Sequence, residues 1–294
     1  MEDAEPSRTA LVTAYARAFH QVADRPLILT DAFAAKLLGA SIDQLTELSQ
    51  RTDDPVGAVI GDRARRLFFA ARARFAEDSV AAAVAAGMRQ VVILGAGLDT
   101  FAHRNPYPGL RVFEVDHPAT QAWKRDRLAA AELDCPETLT FVPVDFETQD
   151  LAAELESTTF TRTEPAIFVW LGVVFYLTPK AAVATLEYIA GQTQPVEIVF
   201  DYLQPADTDE DRAHLRARAD RLASACEPFV SYFTPDEISQ RLRTLGLSDV
   251  EDHSAREVIS RYLGESPDFE EEASRTLRAS RILRASRAVA GRHR

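Results

Sequence analysis

Between Ser7 and Phe19 the apolar residues Ala10, Leu11, Ala14, Tyr15 and Ala18 recur at the three- and four-residue spacing of an amphipathic helix. Further helices are expected directly after it. Thr30 is placed to cap one starting at Asp31, and Ser41 with Gln44 forms a capping box for another. An alanine-rich helical pattern over residues 62–86 then carries the chain to Gly87, where the period changes. Gln90 to Leu94 is a short continuous apolar run closed by Gly95, the pattern of a strand buried on both faces. Similar runs at residues 110–115, 139–144, 166–171 and 196–203 alternate with helical segments such as 118–132 and 179–190. That alternation predicts a parallel sheet with right-handed crossovers.

Past Leu203 the chain turns polar, and a charged helix is expected to run to about residue 225. Thr234 to Glu237 reads as a capping box with Pro235 at the first helical position. Residues 247–250 and 258–263 are expected as final strands, and a polar helix or frayed tail from Glu270. In that tail Arg275, Arg278, Arg281, Arg284 and Arg287 recur every three residues. A three-residue step advances about 300° around a helix, so such a row wraps the cylinder and predicts a solvated face. The expected architecture is α/β: a Rossmann-like, mostly parallel sheet flanked by helices. A helical cap and lead-in helix span residues 1–87, and the core with a helical tail spans 88–294, in one folded unit.

Candidate chemistry concentrates at the ends of the first strands. The run Val91 to Asp99 takes a buried strand straight into Gly95-Ala96-Gly97, where a residue without Cβ lets a ligand approach the backbone. The third glycine of a dinucleotide fingerprint is replaced by Thr100, which disfavours a nicotinamide oxidoreductase. The second strand closes on Glu114-Val115-Asp116, near the interval of about 20 residues at which such folds place a ribose-binding acid. The third closes on Asp145-Phe146, an acid to accept from an adenine amino group beside a ring to pack on the base. Singly, each has a plain structural reading, glycine as turn and acid as helix cap. Three at consecutive strand ends form the pattern of a nucleoside site.

Composition narrows the partners. The 294 residues carry 33 basic against 45 acidic side chains, a formal charge of -12 that repels nucleic-acid phosphates and anionic membranes. A small molecule is therefore the expected partner, with no nucleic acid and no membrane, and a homodimer is left open. Cys135 and Cys226 form no motif pair, the opening residues lack an apolar segment, and no apolar run approaches the roughly 18 residues that span a bilayer. A cytoplasmic location is expected. The scattered histidines show no ligand spacing, so no metal is expected, and His117 reads as a surface residue.

The stretches QVVILGAGLDT at 90–100, FEVDHP at 113–118, VPVDF at 142–146 and VWLGVVFYLT at 169–178 together resemble the leucine carboxyl methyltransferase-like family, which includes bacterial O-methyltransferases of polyketide biosynthesis. RTALVTAYARAF and LTDAFAAKLL are similar to its helical cap, so the likeness covers residues from about 7 to 264. The resemblance implies a class I methyltransferase fold and S-adenosyl-L-methionine as cofactor. It places the cofactor's methionine end over Gly95, Ala96 and Gly97, its ribose on Asp116 with Glu114 nearby, and its adenine at Asp145 and Phe146. It also implies an arginine on the cofactor carboxylate, with Arg72 first and Arg74 second. The family's usual glutamate before the glycine after strand four is here Leu171, and its usual arginine after Gly-Leu-Asp-Thr is Phe101. Methyl transfer to a carboxylate (or hydroxyl) of a small metabolite or polyketide-type product is the expected activity. The alternative is a cofactor-binding homologue that acts as a non-enzymatic interaction protein. Trp170, Phe175, Tyr176 and Tyr202 are candidate acceptor walls, with Tyr15 and Arg17 of the helical cap closing over them. No obligate catalytic residue is expected.

Overall fold

The computed structural model describes residues 7–146, 148–192, 195–223, 229–264 and 277–287. A helical cap comes first, formed by α1 (Arg8–Ala23), α2 (Ala34–Leu38), α3 (Ile42–Ser49) and α4 (Pro55–Gly61). The long α5 (Arg63–Ala85) leads into the sheet, with Asp62 accepting from the amides of Ala64 and Arg65 as its N-cap. The strands are β1 (Gln90–Leu94), β2 (Arg111–Asp116), β3 (Leu139–Pro143), β4 (Ala166–Trp170), β5 (Val196–Leu203), β6 (Asp249–Ser254) and β7 (Ser280–Ser286). Between and after them lie α6 (Phe101–Arg104), α7 (Pro118–Ala130), α8 (Leu151–Glu156), α9 (Pro179–Ala190), α10 (Asp209–Ala223), α11 (Pro235–Thr244) and α12 (Ala255–Leu263).

The sheet has seven strands in the order β3-β2-β1-β4-β5-β7-β6. The first five run parallel, and β7 is antiparallel to both β5 and β6. Strand alternation divides the core. Val91, Ile93, Val112, Ile167, Val169 and Val199 pack toward Phe68, Ala71 and Phe75 of α5 and Val258 and Ile259 of α12. Val92, Leu94, Phe113, Phe168, Trp170 and Phe200 pack on the other face, toward Leu155, Leu186 and Leu242. The cap has a core of its own, where Ala14, Ala18, Leu37, Leu45 and Ile60 meet Leu98 and Leu128.

The expected helix from Asp31 is instead a turn. Asp31 carboxylate accepts from the amides of Phe33 and Ala34, so the short α2 starts three residues later. Residues 258–263, expected as strand, belong to α12, whose start is fixed by a capping box of Ser254 and Glu257. The expected helical tail also contains a strand. Ile282, Leu283 and Ala285 are buried in β7, while Arg281 and Arg284 pair with acids of β6, Asp252 with the first and Glu251 with the second. Arg275, like Cys226 and His293, lies outside the described residues.

Candidate cofactor and acceptor site

A cavity of about 690 Å³ opens where the carboxyl ends of β1 to β4 meet α1 and α5. This is within the range of roughly 300–1,000 Å³ of small-molecule sites. Its floor is the turn after β1. Gly95 and Gly97 have φ of +64° and +50°, and a Cβ on Gly95 would come within 2.3 Å of Val173 Cγ2. The turn is tied down from both sides. Gly97 N–H donates to Asp116 Oδ2 at 2.5 Å, and Arg17 Nη2 donates to the carbonyl of Leu98 at 2.6 Å.

Asp116 ends β2 beside that turn, and its Oδ1 accepts from the His117 amide at 2.6 Å. Burial pushes its carboxyl above the ordinary range, against the pull of the Gly97 and His117 amides. Each oxygen keeps a lone pair for a further donor. Asp145 and Phe146 follow β3 and line the same cavity, as do Ala96, Asp99 and Leu171. The β1, β2 and β3 ends therefore converge, as the spacing predicts. His117, expected at the surface, also lines the cavity, and its Nδ1 caps α7 by accepting from the Ala119 amide.

Of the two candidate arginines, Arg72 reaches the cavity. Arg74 is half exposed and paired with Asp78 at 2.8 Å. Two residues advance about 200° around a helix, so the pair cannot share one face. The same geometry sorts α1. Thr9, Ala10, Thr13 and Arg17 share a cavity-facing side, whereas Tyr15 packs within the cap. Arg17 is committed, its Nε donating to Asp31 at 3.1 Å.

Four further expectations are corrected by strand and helix direction. Glu114 lies deeper along β2, fully buried against Lys124 Nζ at 2.5 Å and outside the cavity. Its burial outweighs the lysine and raises its carboxyl to about 7. Trp170 points to the opposite sheet face and packs on Phe200. Tyr202 shares that face, and its hydroxyl donates to Asp252 Oδ2 at 2.7 Å. Phe175 is buried among Leu203, Leu215 and Phe229. Only Tyr176 of these candidate aromatic walls lines the cavity, with its hydroxyl 3.0 Å from Thr9 Oγ1.

Asp201 is a site-associated residue that the pattern reading misses. It sits on β5 next to the miscast Tyr202, and its carboxylate accepts from Arg72 Nη1 and from the Gly172 amide, each at 2.5 Å. A signal is present in the sequence, because two acids, Glu197 and Asp201, interrupt the apolar run Val196–Leu203, and Asp201 does so near its carboxyl end.

Comparison with known proteins gives the family and the fold. The family model described as leucine carboxyl methyltransferase matches residues 10–190. The chain belongs to that family. A Bacillus subtilis relative, YktD, is 32% identical over 91% of this chain and 95% of its own, and its name assigns it provisionally to the S-adenosyl-L-methionine-dependent methyltransferases. Among solved structures, a DUF574 family protein from Streptomyces avermitilis covers 97% of this chain and 99% of its own, with a TM-score of 0.57 at 16% identity. A protein from Thermobifida fusca, titled provisionally a methyltransferase, covers 98% and 97% with a TM-score of 0.52 at 15% identity. These two likenesses concern the fold, which is the Rossmann-like methyltransferase fold.

Proposed function

We propose that the protein is an S-adenosyl-L-methionine-dependent O-methyltransferase acting on a carboxylate or hydroxyl of a small molecule. The observation that carries the reading is the Asp116 carboxylate bound to the Gly97 amide at the rim of a cavity shared by consecutive strand ends. The residues present fit the cofactor. Gly95 and Gly97 turn the backbone through positive φ at the cavity floor, where no side chain of their own screens it from a ligand, and Asp116 has acceptor capacity for ribose hydroxyls. Asp145 and Phe146 line the cavity and would offer an acceptor and a ring to an adenine, and Arg72, in the same lining, would offer a cation to the cofactor carboxylate.

When bound, S-adenosyl-L-methionine supplies a methyl group already activated on a sulfonium. The chain's own residues then have to align an acceptor oxygen with it, and alignment of this kind contributes roughly 7–11 kcal/mol. A carboxylate acceptor is ionised at neutral pH, so no side chain need take a proton from it; a hydroxyl calls for a base nearby. The contact of Thr9 with Tyr176 joins α1 to the segment after β4 and helps to exclude water. The acidic charge favours small-molecule partners over nucleic acid. No helix among the described residues is long and apolar enough to cross a membrane, and a cytoplasmic location, with or without homodimer formation, belongs to this proposal.

Isothermal titration calorimetry with S-adenosylhomocysteine tests the reading, and absence of binding would overturn it. In thermal shift the same ligand should raise the melting temperature while NAD does not, since a ligand at 100 times its Kd adds roughly 2.7 kcal/mol. Leu171 in the cavity wall supports a second reading, a cofactor-binding protein without turnover. Formation of S-adenosylhomocysteine with any acceptor from a panel of small acids and phenols would exclude that second reading.

A further inference from the structure

Asp201 is a fully buried acid, 1% exposed, that does not line the cavity and yet commits both carboxylate oxygens to groups that do. Oδ2 accepts from Arg72 Nη1 on α5, and Oδ1 accepts from the amide of Gly172 just after β4. The arrangement is constrained on its other sides. The Arg72 guanidinium carbon lies 4.6 Å from the Phe69 ring centroid, and Nη2 is 3.5 Å from Thr13 Oγ1 on α1. Gly172 has φ of +76°, and a Cβ there would stand 3.2 Å from Arg72 Nη2. The glycine thus lets the guanidinium lie against the backbone whose amide Asp201 holds.

We propose that Asp201 is a positioning residue: it fixes Arg72 and the Gly172 amide so that the amino-acid end of the ligand meets an oriented guanidinium. The inference rests on the reading above that Arg72 receives the cofactor carboxylate. The physics is of two kinds. A guanidinium buried without a counter-charge is costly, and Asp201 removes that cost before any ligand arrives. Arg72 has five N–H donors, so the bond to Asp201 leaves others for a second carboxylate. The neutral Arg72–Asp201 pair also suits an amino-acid group, which carries a carboxylate and an ammonium together, better than a bare cation would. Asp201 acts from β5, behind the cavity wall, through Arg72 and the Gly172 amide, while Leu171 brings no carboxylate to that wall from β4.

The test compares two ligands on wild type and Asp201→Asn by calorimetry. S-adenosylhomocysteine carries the amino-acid end, and 5′-methylthioadenosine has the same nucleoside and thioether without it. Asp201→Asn should weaken S-adenosylhomocysteine by at least about tenfold and change methylthioadenosine by less than about twofold. In an Arg72→Ala background, Asp201→Asn should add nothing, because it acts through that arginine. Equal weakening of both ligands, or of neither, would overturn the inference while the nucleoside site stands. Failure of the wild type to bind S-adenosylhomocysteine would instead remove the underlying reading, and the inference with it. If Asp201→Asn does not fold, a crystal of the wild type with S-adenosylhomocysteine decides. Arg72 Nη1 retained on Asp201, with another guanidinium nitrogen on the ligand carboxylate, supports the proposal, and an Arg72 swung away from Asp201 overturns it.

Discussion

One position along a strand separates a site residue from a core residue, because successive side chains point to opposite faces. Val169 and Leu171 line the cavity while Trp170 between them fills the far core, and Asp201 serves the cavity side while Tyr202 does not. Polarity and ring content alone could not choose between such neighbours. Asp116 was legible because it ends its strand, where a side chain meets the adjoining turn. Replacing it with alanine should weaken S-adenosylhomocysteine binding at least about tenfold, since charge-assisted hydrogen bonds contribute roughly 1.5–3 kcal/mol each. Calorimetry checks this, and an unchanged Kd would remove Asp116 from the ribose site.

At the scale of elements, one buried carboxylate gathers several of the contacts between the helical cap and the sheet domain. Asp31 accepts from Arg17 of α1 and from Thr100 beside the glycine turn, pairs with Arg104 of α6 at 3.4 Å, and caps α2. Burial works against its ionisation, but Arg17, Arg104, Thr100 and the Ala34 amide together hold its carboxyl below the ordinary range. A depressed native value contributes stability that is present above the unfolded value, near 3.9, and is lost as pH falls through the native one. Asp31→Asn should therefore destabilise the protein by roughly 3–5 kcal/mol at neutral pH and flatten the acid limb of its stability curve. Urea unfolding between pH 2 and 7 measures both, and an acid limb as steep as wild type would count against Asp31 as its source. Sequence periodicity found α1, α3, α5 and α9 because each carries its own caps and apolar spacing. It misassigned α12 by reading Val258–Leu263 as a strand, although Ala255, Val258 and Ile259 share one buried helix face and Ser254 with Glu257 caps its start.

For the whole molecule the C-terminal strand has a structural role far from the cavity. β7 lies between β5 and β6, so its loss would open the hydrogen-bonding edge of β5 and detach β6. Removing residues 277–294 should yield a protein that aggregates, with soluble expression and sedimentation velocity as the readouts. A monomeric, cooperatively folding product would contradict that role. In the full chain the carboxyl ends of β1 to β4 all open on one side, which gives the cavity its place beneath α1.

Local order along the chain was enough to establish the alternation of strands and helices, the parallel core, the glycine turn, and the acids that end β2 and follow β3. Each of these depends on neighbours close in sequence: apolar period, caps, and residues at strand ends. The insertion of antiparallel β7, the pairing of Arg72 with Asp201 across 129 residues, and the withdrawal of Glu114 onto Lys124 were settled by packing. These depend on which distant charges share a dry interior, and a buried charge takes its partner from whatever surface the fold brings against it.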